Sequence, residues 1–514
     1  MVFETGTGFG TAMTIGRGIR CAAARAPGRI ALHAGARRLD YVELVRRMAR
    51  VAHVGLGHLR LEPGDRVALI AGNVLEYIEI VAGLSDIGVI VATLSPRLTR
   101  TELSEILDDC DPRAIIIAAE FLALLYPDIT IPVIVIGDRY EALLAAASDA
   151  PRRDMVAETT PFALAYTSGT TGRPKGVLLP HRSRAITFMA MAAEYRCFGV
   201  DDHFLALAPM CHGAGFVFAC ATLFFGGTTS LFPASDPVAV LDRIGQRDVT
   251  GVFMVPTQFA RMFDLPDAVL DVRRAHRLTS IISNAAALPQ GMKERAIAQF
   301  GAGLLHETYG STEGGIVTNI RPADLLRKPG SVGLPFPGVE VEIRGPDGGI
   351  AALHEPGELF SRAPTAFSGY WNRPDETAET MMDGWVSVGD VAVADADGFI
   401  SIVDRKKDMV VTGGINVYPR EIENVIARVP GVVESAVIGL PDAEWGERLH
   451  AFIVPSDANP MLAATIIAAC RAELAGFKIP RGVSFVTELP RNTGGKVMKR
   501  VLREQGVSIA EGET

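Results

Sequence analysis

The sequence predicts an α/β protein of more than one domain, and three observations carry that expectation. At 514 residues the chain exceeds what a single hydrophobic core holds, so about two to four domains are expected. Short apolar runs, Val67–Ile70, Val89–Val91 and Ala114–Ile117, alternate with helix-spaced segments, the pattern of parallel strands covered on both faces. From Gly330 to Val403 the pattern changes to short alternating strands between Pro-Gly and Asp-Gly turns, and beyond the charged run Asp404–Asp408 it becomes a compact mixture of helix and strand. The expected architecture is a large N-terminal domain, residues 1–403, of parallel α/β sheets with a β-rich subdomain over about 330–403. A break at 404–408 and a small α+β C-terminal domain over 409–514 follow.

Taken in order, residues 1–13 carry no periodic signal. Asp40 with Glu43 has the spacing of a capping box, and Leu44, Met48, Val51 and Ala52 follow at helical intervals. Pro63-Gly64-Asp65 is a turn into the first strand; Val74–Leu84 and Leu103–Leu107 read as helices between strands. Phe162–Ala165 and Val177–Leu179 read as two buried strands around a polar loop. The strand–helix rhythm returns with strands at Thr250–Val255 and Thr279–Ser283 and helices at Thr257–Phe263 and Pro289–Gln299. In the β-rich part, Val339–Ile343, Gly357–Phe360 and Phe399–Val403 are strands. Beyond the break come a helix Pro419–Arg428, strands Glu434–Ile438 and Ala451–Val454, and a helix Leu462–Leu474; the tail after Glu504 is expected to be disordered.

Composition narrows the function. Hydrophobic residues make up 48% of the chain, enough for large cores. A net charge of −9 argues against a nucleic-acid partner, which needs a basic face. The six cysteines are scattered without a CxxC pair, which fits reduced thiols in a cytoplasmic protein rather than disulfides or a zinc site. The N-terminus lacks the basic and apolar regions of a signal peptide. Residues 204–235 contain no Asp, Glu, Lys or Arg, but Pro209, Gly213, Gly215, Gly226 and Gly227 interrupt them; a buried helix and strand are expected there rather than a transmembrane span.

The loop between the two buried strands, Tyr166-Thr-Ser-Gly-Thr-Thr-Gly-Arg-Pro-Lys-Gly-Val177, is dense in glycine, hydroxyls and positive charge. Bare backbone N–H groups, hydroxyls and a lysine suit a polyphosphate, although the spacing is not that of a Walker loop. Further on, His306-Glu-Thr-Tyr-Gly-Ser-Thr-Glu313 offers an aromatic face, hydroxyls and a carboxylate; by itself the string fits equally a loop leading into a capped helix. Trp385–Asp390 reads as a strand ending at an acidic residue. Arg405 and Lys407 lie in the charged break, Thr412-Gly413-Gly414-Ile-Asn-Val-Tyr-Pro419 follows it, and Arg491-Asn-Thr-Gly-Gly-Lys496 lies near the C-terminus.

These five strings, in this order over residues 166–496, resemble the signatures of the adenylate-forming superfamily, which contains acyl-CoA synthetases, peptide-synthetase adenylation domains and luciferases. The resemblance implies ATP-dependent activation of a carboxylic acid, with ATP, Mg²⁺ and CoA as co-substrates and cofactor. It implies an ATP/AMP site of Thr167, Ser168, Gly169, Thr170, Thr171, Gly172 and Lys175 at the phosphates, with Ala285, Ala286, Glu307, Thr308, Tyr309, Gly310, Ser311 and Thr312 about the adenine and α-phosphate. Asp390 would hold the ribose, Arg405 would sit beside it, and Thr167 with Glu313 would serve Mg²⁺. Lys496 would bridge carboxylate and ATP. Lys407 would be the hinge of a mobile C-terminal domain whose Gly413 and Gly414 admit pantetheine, with Arg97, Trp445 and Lys478 at the CoA nucleotide.

Peptide-synthetase adenylation domains place an aspartate where this chain reads Pro209-Met-Cys-His212-Gly-Ala-Gly-Phe216, so an amino-acid substrate is not expected. In CoA ligases of the family a histidine here packs by the carboxylate. The remaining expected acyl-pocket residues, Phe216, Ala285, Ala286, Gly310, Gly314, Gly315, Ile316 and Val317, include no Arg or Lys, which favours an apolar aromatic, alicyclic or fatty monocarboxylic acid. Asn284-Ala-Ala-Ala-Leu288 departs from the family's common Gly-Gly-Ala-Pro-Leu. The alternatives are an adenylate-forming enzyme with another acceptor, such as an acyl-AMP ligase serving a carrier protein or a luciferase-like oxidase, and a non-enzymatic ATP-binding module. A homodimer is compatible with the chain.

Overall fold

The computed structural model describes residues 12–152, 156–168, 174–233, 235–442, 444–457, 459–491 and 497–512. The chain forms two compact units: one of residues up to Val341 with Ser361–Val386, the other of Glu342–Phe360 with the chain from Ser387 onward.

The first unit is built on two sheets. One has seven strands in the order 369–370, 174–180, 161–168, 90–94, 66–70, 114–118, 133–136. Its inner strands pair in parallel, as their all-apolar sequences predict. Strands Pro161–Ser168 and Pro174–Pro180 form an antiparallel hairpin, with Thr167 opposite Lys175 at one end and Pro161 opposite Pro180 at the other. The second sheet has nine strands, with 305–311, 280–283, 251–254 and 203–206 at its parallel centre and the antiparallel strand Gly315–Ile320 beside them. The charge-free stretch supplies strands His203–Ala206 and Thr228–Leu231 and the buried helix Gly213–Phe225 between them, as expected. Among the described residues no helix is long and apolar enough to cross a membrane.

The helix Glu76–Ser85 is buried along its whole length, including two glutamates. Arg47 makes this tolerable: it donates to both oxygens of Glu79 at 2.6 and 2.8 Å, and Tyr140 adds a bond at 2.7 Å. Asp40 caps the helix Tyr41–Gly57 by accepting from Glu43 N at 2.8 Å, as its spacing predicts.

In the second unit, strands Val432–Asp442 and Gly446–Pro455 form a long hairpin, and the free edge of Gly446–Pro455 pairs at one end with 410–412, itself paired to 415–417, and further along with 482–485. Helices Pro419–Ile426 and Leu462–Glu473 bury Ile422, Val425, Ile426, Leu462 and Ile466 in a common core with this sheet. Two expectations are corrected here. Asp390 does not end a strand but begins one, Asp390–Ala394, after Gly389 turns the chain at a φ of +76°. The tail after Glu504 is not disordered: the helix that starts at Lys499 runs to Gly512.

Candidate active site

The phosphate-loop residues Gly169, Thr170, Thr171 and Gly172 lie outside the described residues, as does Lys496; of Ser168 only the backbone is described. The hairpin ends that carry the loop are well defined. Lys175 forms an ion pair with Glu376, and its ammonium lies 5.2 Å from the centre of the Tyr370 ring. The Tyr370 phenol donates to Glu313 Oε1 at 2.8 Å. Burial, and then the neighbouring Glu313 carboxylate, push the phenol's pKa well up, so it stays protonated and remains a donor. Tyr370 therefore links the lysine beside the loop to the carboxylate expected to serve the metal. Neither Tyr370 nor Glu376 was legible as a site residue.

Glu313 follows the strand Leu305–Ser311, which turns back antiparallel into Gly315–Ile320. The turn needs glycine at 310, where any Cβ would collide with the carbonyl oxygen of Gly315. Ser311 Oγ accepts from Gly314 N at 2.8 Å and tightens the turn. Along the strand, Thr308 Oγ1 accepts from Asn284 Nδ2 at 2.6 Å, so the amide that departs from the family pattern is tied to the strand's polar edge. Glu307 is held inside the fold: Oε2 pairs with Lys293 at 2.5 Å and Oε1 accepts from Leu288 N at 2.8 Å. Its surroundings suit a positioning role. Ala285 and Ala286 are exposed beside Asn284, and Ala285 has a φ of +78°, the left-handed region that glycine, common here in the family, occupies without strain. Tyr309 and Thr312 are half-buried around the same turn.

Behind the hairpin lies a cavity of about 290 Å³, counting its mouth. His212, Gly213 and Phe216, at the start of the helix Gly213–Phe225, form one wall; Phe162, Ala163 and Ala165 of the hairpin, with Met210, face them. Burial, and then the nearby Arg97, lower the His212 pKa, so the ring is neutral. Cys211 beside it is pushed up to about 11 by burial and stays a thiol. The cavity gathers only two of the expected acyl-pocket residues, His212 and Phe216. Ala285, Ala286, Gly310, Gly314, Gly315, Ile316 and Val317 belong to the 284–317 turns and strands and do not line it. Arg184, which is not among the expected pocket residues, also lines this cavity.

In the second unit Asp390 and Arg405 are brought together. They face each other across the strand pair, and Arg405 Nε lies 2.9 Å from Asp390 Oδ1. Lys407 sits in the turn Lys406–Asp408; burial, and then Arg405, depress its ammonium's pKa. Asp408 is paired with Arg503 at 3.0 Å. Gly413 and Gly414 both have positive φ, +58° and +78°. Gly413 packs so closely on Trp445 that a Cβ would lie 2.8 Å from the indole, and its N–H donates to the Trp445 carbonyl at 2.8 Å. Arg481, missed in the sequence, stacks over that indole at 4.8 Å. Lys478 is paired with Glu421 at 2.6 Å, whereas Arg97, in the first unit, is exposed.

The strands that flank the glycine-rich stretch, the turn to Glu313 and the Asp390–Arg405 pair are each formed by the described residues. Residues 19–371 match the family of AMP-binding enzymes, and residues 421–496 match the AMP-binding enzyme C-terminal domain. A feruloyl-CoA synthase of an Amycolatopsis species is 36% identical over 489 residues, 93% of this chain and 96% of its own. ScoC, a fatty acid–[acyl-carrier-protein] ligase of Streptomyces coeruleorubidus, is 33% identical over 480 residues, 91% of this chain and 92% of its own. The crystal structure of ATP-bound MatB from Rhodopseudomonas palustris superposes with a TM-score of 0.87 at 32% identity, over 96% of this chain and 99% of that one. The chain belongs to the AMP-binding enzymes, in the acyl-CoA synthetase branch of the adenylate-forming superfamily: it is an AMP-forming acid–thiol ligase that uses ATP and CoA.

Proposed function

We propose that this ligase activates a carboxylic acid with an apolar aromatic, alicyclic or fatty body, first as its adenylate and then as its CoA thioester. A carboxylate oxygen bonds to the α-phosphorus of ATP as the bond to pyrophosphate breaks. The CoA thiolate then adds to the acyl carbon, and AMP leaves with the electron pair of the broken C–O bond. The protein contributes positioning and charge compensation. The observation that carries this reading is the Lys175–Tyr370–Glu313 chain, which joins the lysine that follows the glycine-rich stretch to the acidic residue of the second signature string.

Thr167 and the loop residues cradle the phosphates, Tyr309 lies against adenine, and Asp390 and Arg405 serve the ribose. Lys496 bridges the carboxylate and the α-phosphate. Mg²⁺ fits the donor set. Glu313 is buried and uses only Oε1 within the described protein, and a nucleotide-bound Mg²⁺ takes one or two protein carboxylates besides phosphate oxygens. Bound there, the ion would neutralise phosphate charge. His212 is neutral and walls the acyl cavity, whose other linings, such as Phe162, Met210 and Phe216, are mostly apolar, Arg184 and Thr93 excepted. In thioester formation the small domain, residues 409–514, turns about Lys407, and Gly413, Gly414 and Trp445 admit pantetheine.

The relative ScoC favours a second reading in which a carrier-protein thiol replaces CoA. The Trp445–Arg481 stack supports CoA, since an exposed indole and a guanidinium suit an adenine nucleotide. Pyrophosphate and AMP release, measured with a panel of acids in the presence of CoA or of phosphopantetheinyl carrier protein, tests both. CoA-dependent AMP release supports the first reading, and carrier-dependent release alone replaces it. No adenylate with any acid refutes both.

A further inference from the structure

Arg184 is the one ionised group of the cavity that the reaction above leaves without a task. It is the fourth residue of the helix His181–Glu194 and is 4% exposed. Among the described residues its one hydrogen bond is a long one, from Nη1 to the neighbouring Ser183 Oγ at 3.5 Å, and no carboxylate there pairs with it. Burial alone pushes its pKa down to about 10, with no acidic neighbour opposing the shift. A buried guanidinium without a counter-charge is costly to the fold, so its presence in the cavity wall points to a ligand that supplies one. A second feature faces the same space. The helix Gly213–Phe225 starts at the cavity wall with no side chain capping its first N–H groups, and such an end favours negative charge.

The position of Arg184 separates it from the reacting carboxyl group. The helix starts directly after Pro180, which pairs with Pro161 at the end of the hairpin opposite the phosphate loop. Thr167 lies six residues further along the strand from Pro161, about 20 Å at the rise of a β-strand. The carboxyl being activated must stand at the loop end. Arg184 enters the cavity it shares with Ala165 from the helix that begins at the other end of the hairpin, so it meets the part of the acid away from that carboxyl, at less than the full strand span.

We propose that Arg184 is a specificity-determining residue that receives a second oxygen acceptor, a carboxylate by preference, at the distal end of an acid with an otherwise apolar body. This rests on the reading that the cavity holds the acyl group of a CoA ligase. The substrates it fits are ω-carboxylates or aromatic acids with a remote carboxylate.

The test compares matched pairs, octanoate with octanedioate and cinnamate with 4-carboxycinnamate, by pyrophosphate release with ATP and CoA. In the wild type kcat/KM should favour the acceptor-bearing member by about 10²–10⁴-fold, because a site built to pair a polar group rejects the analogue that leaves it bare. Arg184→Leu, which keeps the cavity apolar, should reverse the preference and raise turnover of the plain acid. Arg184→Lys, which keeps the charge but not the planar fork, should retain the direction with a smaller ratio. A wild-type preference for the plain acids overturns the proposal even if neither variant folds. So does an equal loss on all four acids in Arg184→Leu with unchanged preference. If octanoate and cinnamate turn over well and only the diacids fail, the ligase reading stands and this inference falls. If no acid of a wider panel supports pyrophosphate release, both fall.

Discussion

Tyr370→Phe isolates the contact on which the proposed site depends. The ring stays, so the cation–π contact with Lys175 at 5.2 Å is kept, and only the hydroxyl that donates to Glu313 at 2.8 Å is removed. Glu313 is 8% exposed, and water reaches it poorly as a substitute donor. A hydrogen bond to an ionised group is worth about 1.5–3 kcal/mol, and each 1.4 kcal/mol is tenfold in rate, so adenylation should slow by about 10- to 150-fold. The phenol's raised pKa keeps it protonated throughout the assay range, so the defect should not vary with pH between about 6 and 9. The two half-reactions are measured separately by rapid quench: pyrophosphate formation from acid and ATP, and thioester formation from supplied acyl-adenylate and CoA. Only the first should fall. Equal loss in both halves, or no loss in either, would refute the assignment of Tyr370 as the residue that positions Glu313 for adenylation.

Three further outcomes are expected. Gly414→Leu should form acyl-adenylate at a near-normal rate and stall before the thioester, because a bulky side chain would stand in the passage proposed for pantetheine; loss of adenylation with thioester formation retained would reverse the assignment. Ala285→Gly should raise the urea midpoint, since it relieves about 1–2 kcal/mol of left-handed strain at a φ of +78° against about 0.5–1 kcal/mol of added unfolded-state entropy; a lower midpoint would show that Ala285 is not strained. His181 is fully buried, accepts from Ile15 N at 3.3 Å through Nδ1, and has its pKa lowered to about 4 by burial, so the unfolded chain takes up a proton before the native one does. Its contribution, about 3 kcal/mol, is complete above about pH 6.5 and is lost as pH falls toward 4, and denaturant melts of His181→Gln over pH 4–7 should show a shallower decline than the wild type.

The parts of this fold and site that were legible in the sequence are those written in consecutive residues. Strands such as Val67–Ile70 and Ala114–Ile117 are apolar throughout because both faces are covered, and each was readable from its own residues. The phosphate hairpin and the turn to Glu313 were readable because glycine and hydroxyl spacing reflects backbone that closes on an anion. Arg184 was hidden for a physical reason. Its helix lies between neighbours, burying His181, Ser183, Arg184, Thr187, Phe188 and Met191, so apolar residues do not mark one face and a cation stands where a core residue is expected. Glu307 stands within a signature string, and the ion pair that holds its carboxylate, with Lys293, is one that no local pattern connects to it. Asp390 was placed at the end of a strand because the turn at Gly389 that starts a new one leaves no apolar signature.

Tyr370 and Glu376 were hidden by distance along the chain, and the way they reach the loop explains what that segment does. Strand Gly369–Tyr370 adds itself to the free edge of the phosphate hairpin, with Tyr370 opposite Val177, and Ser368 N and Trp371 N donate to Leu178 O and Gly176 O at 2.9 and 2.8 Å. On one side Tyr370 and Glu376 engage Lys175. On the other, Asp109 collects three groups: Tyr166, at the start of the loop motif, donates to it at 2.7 Å, Arg373 pairs with it at 2.6 Å, and Trp371 Nε1 donates to its carbonyl at 3.0 Å. The segment 369–376 therefore holds the described strands on either side of the glycine-rich stretch. A loop that must close on a polyphosphate needs backbone freedom within it and rigidity at its ends, because freedom at the ends would have to be frozen out on each binding event. The glycines supply the first, and an edge strand from some two hundred residues away supplies the second.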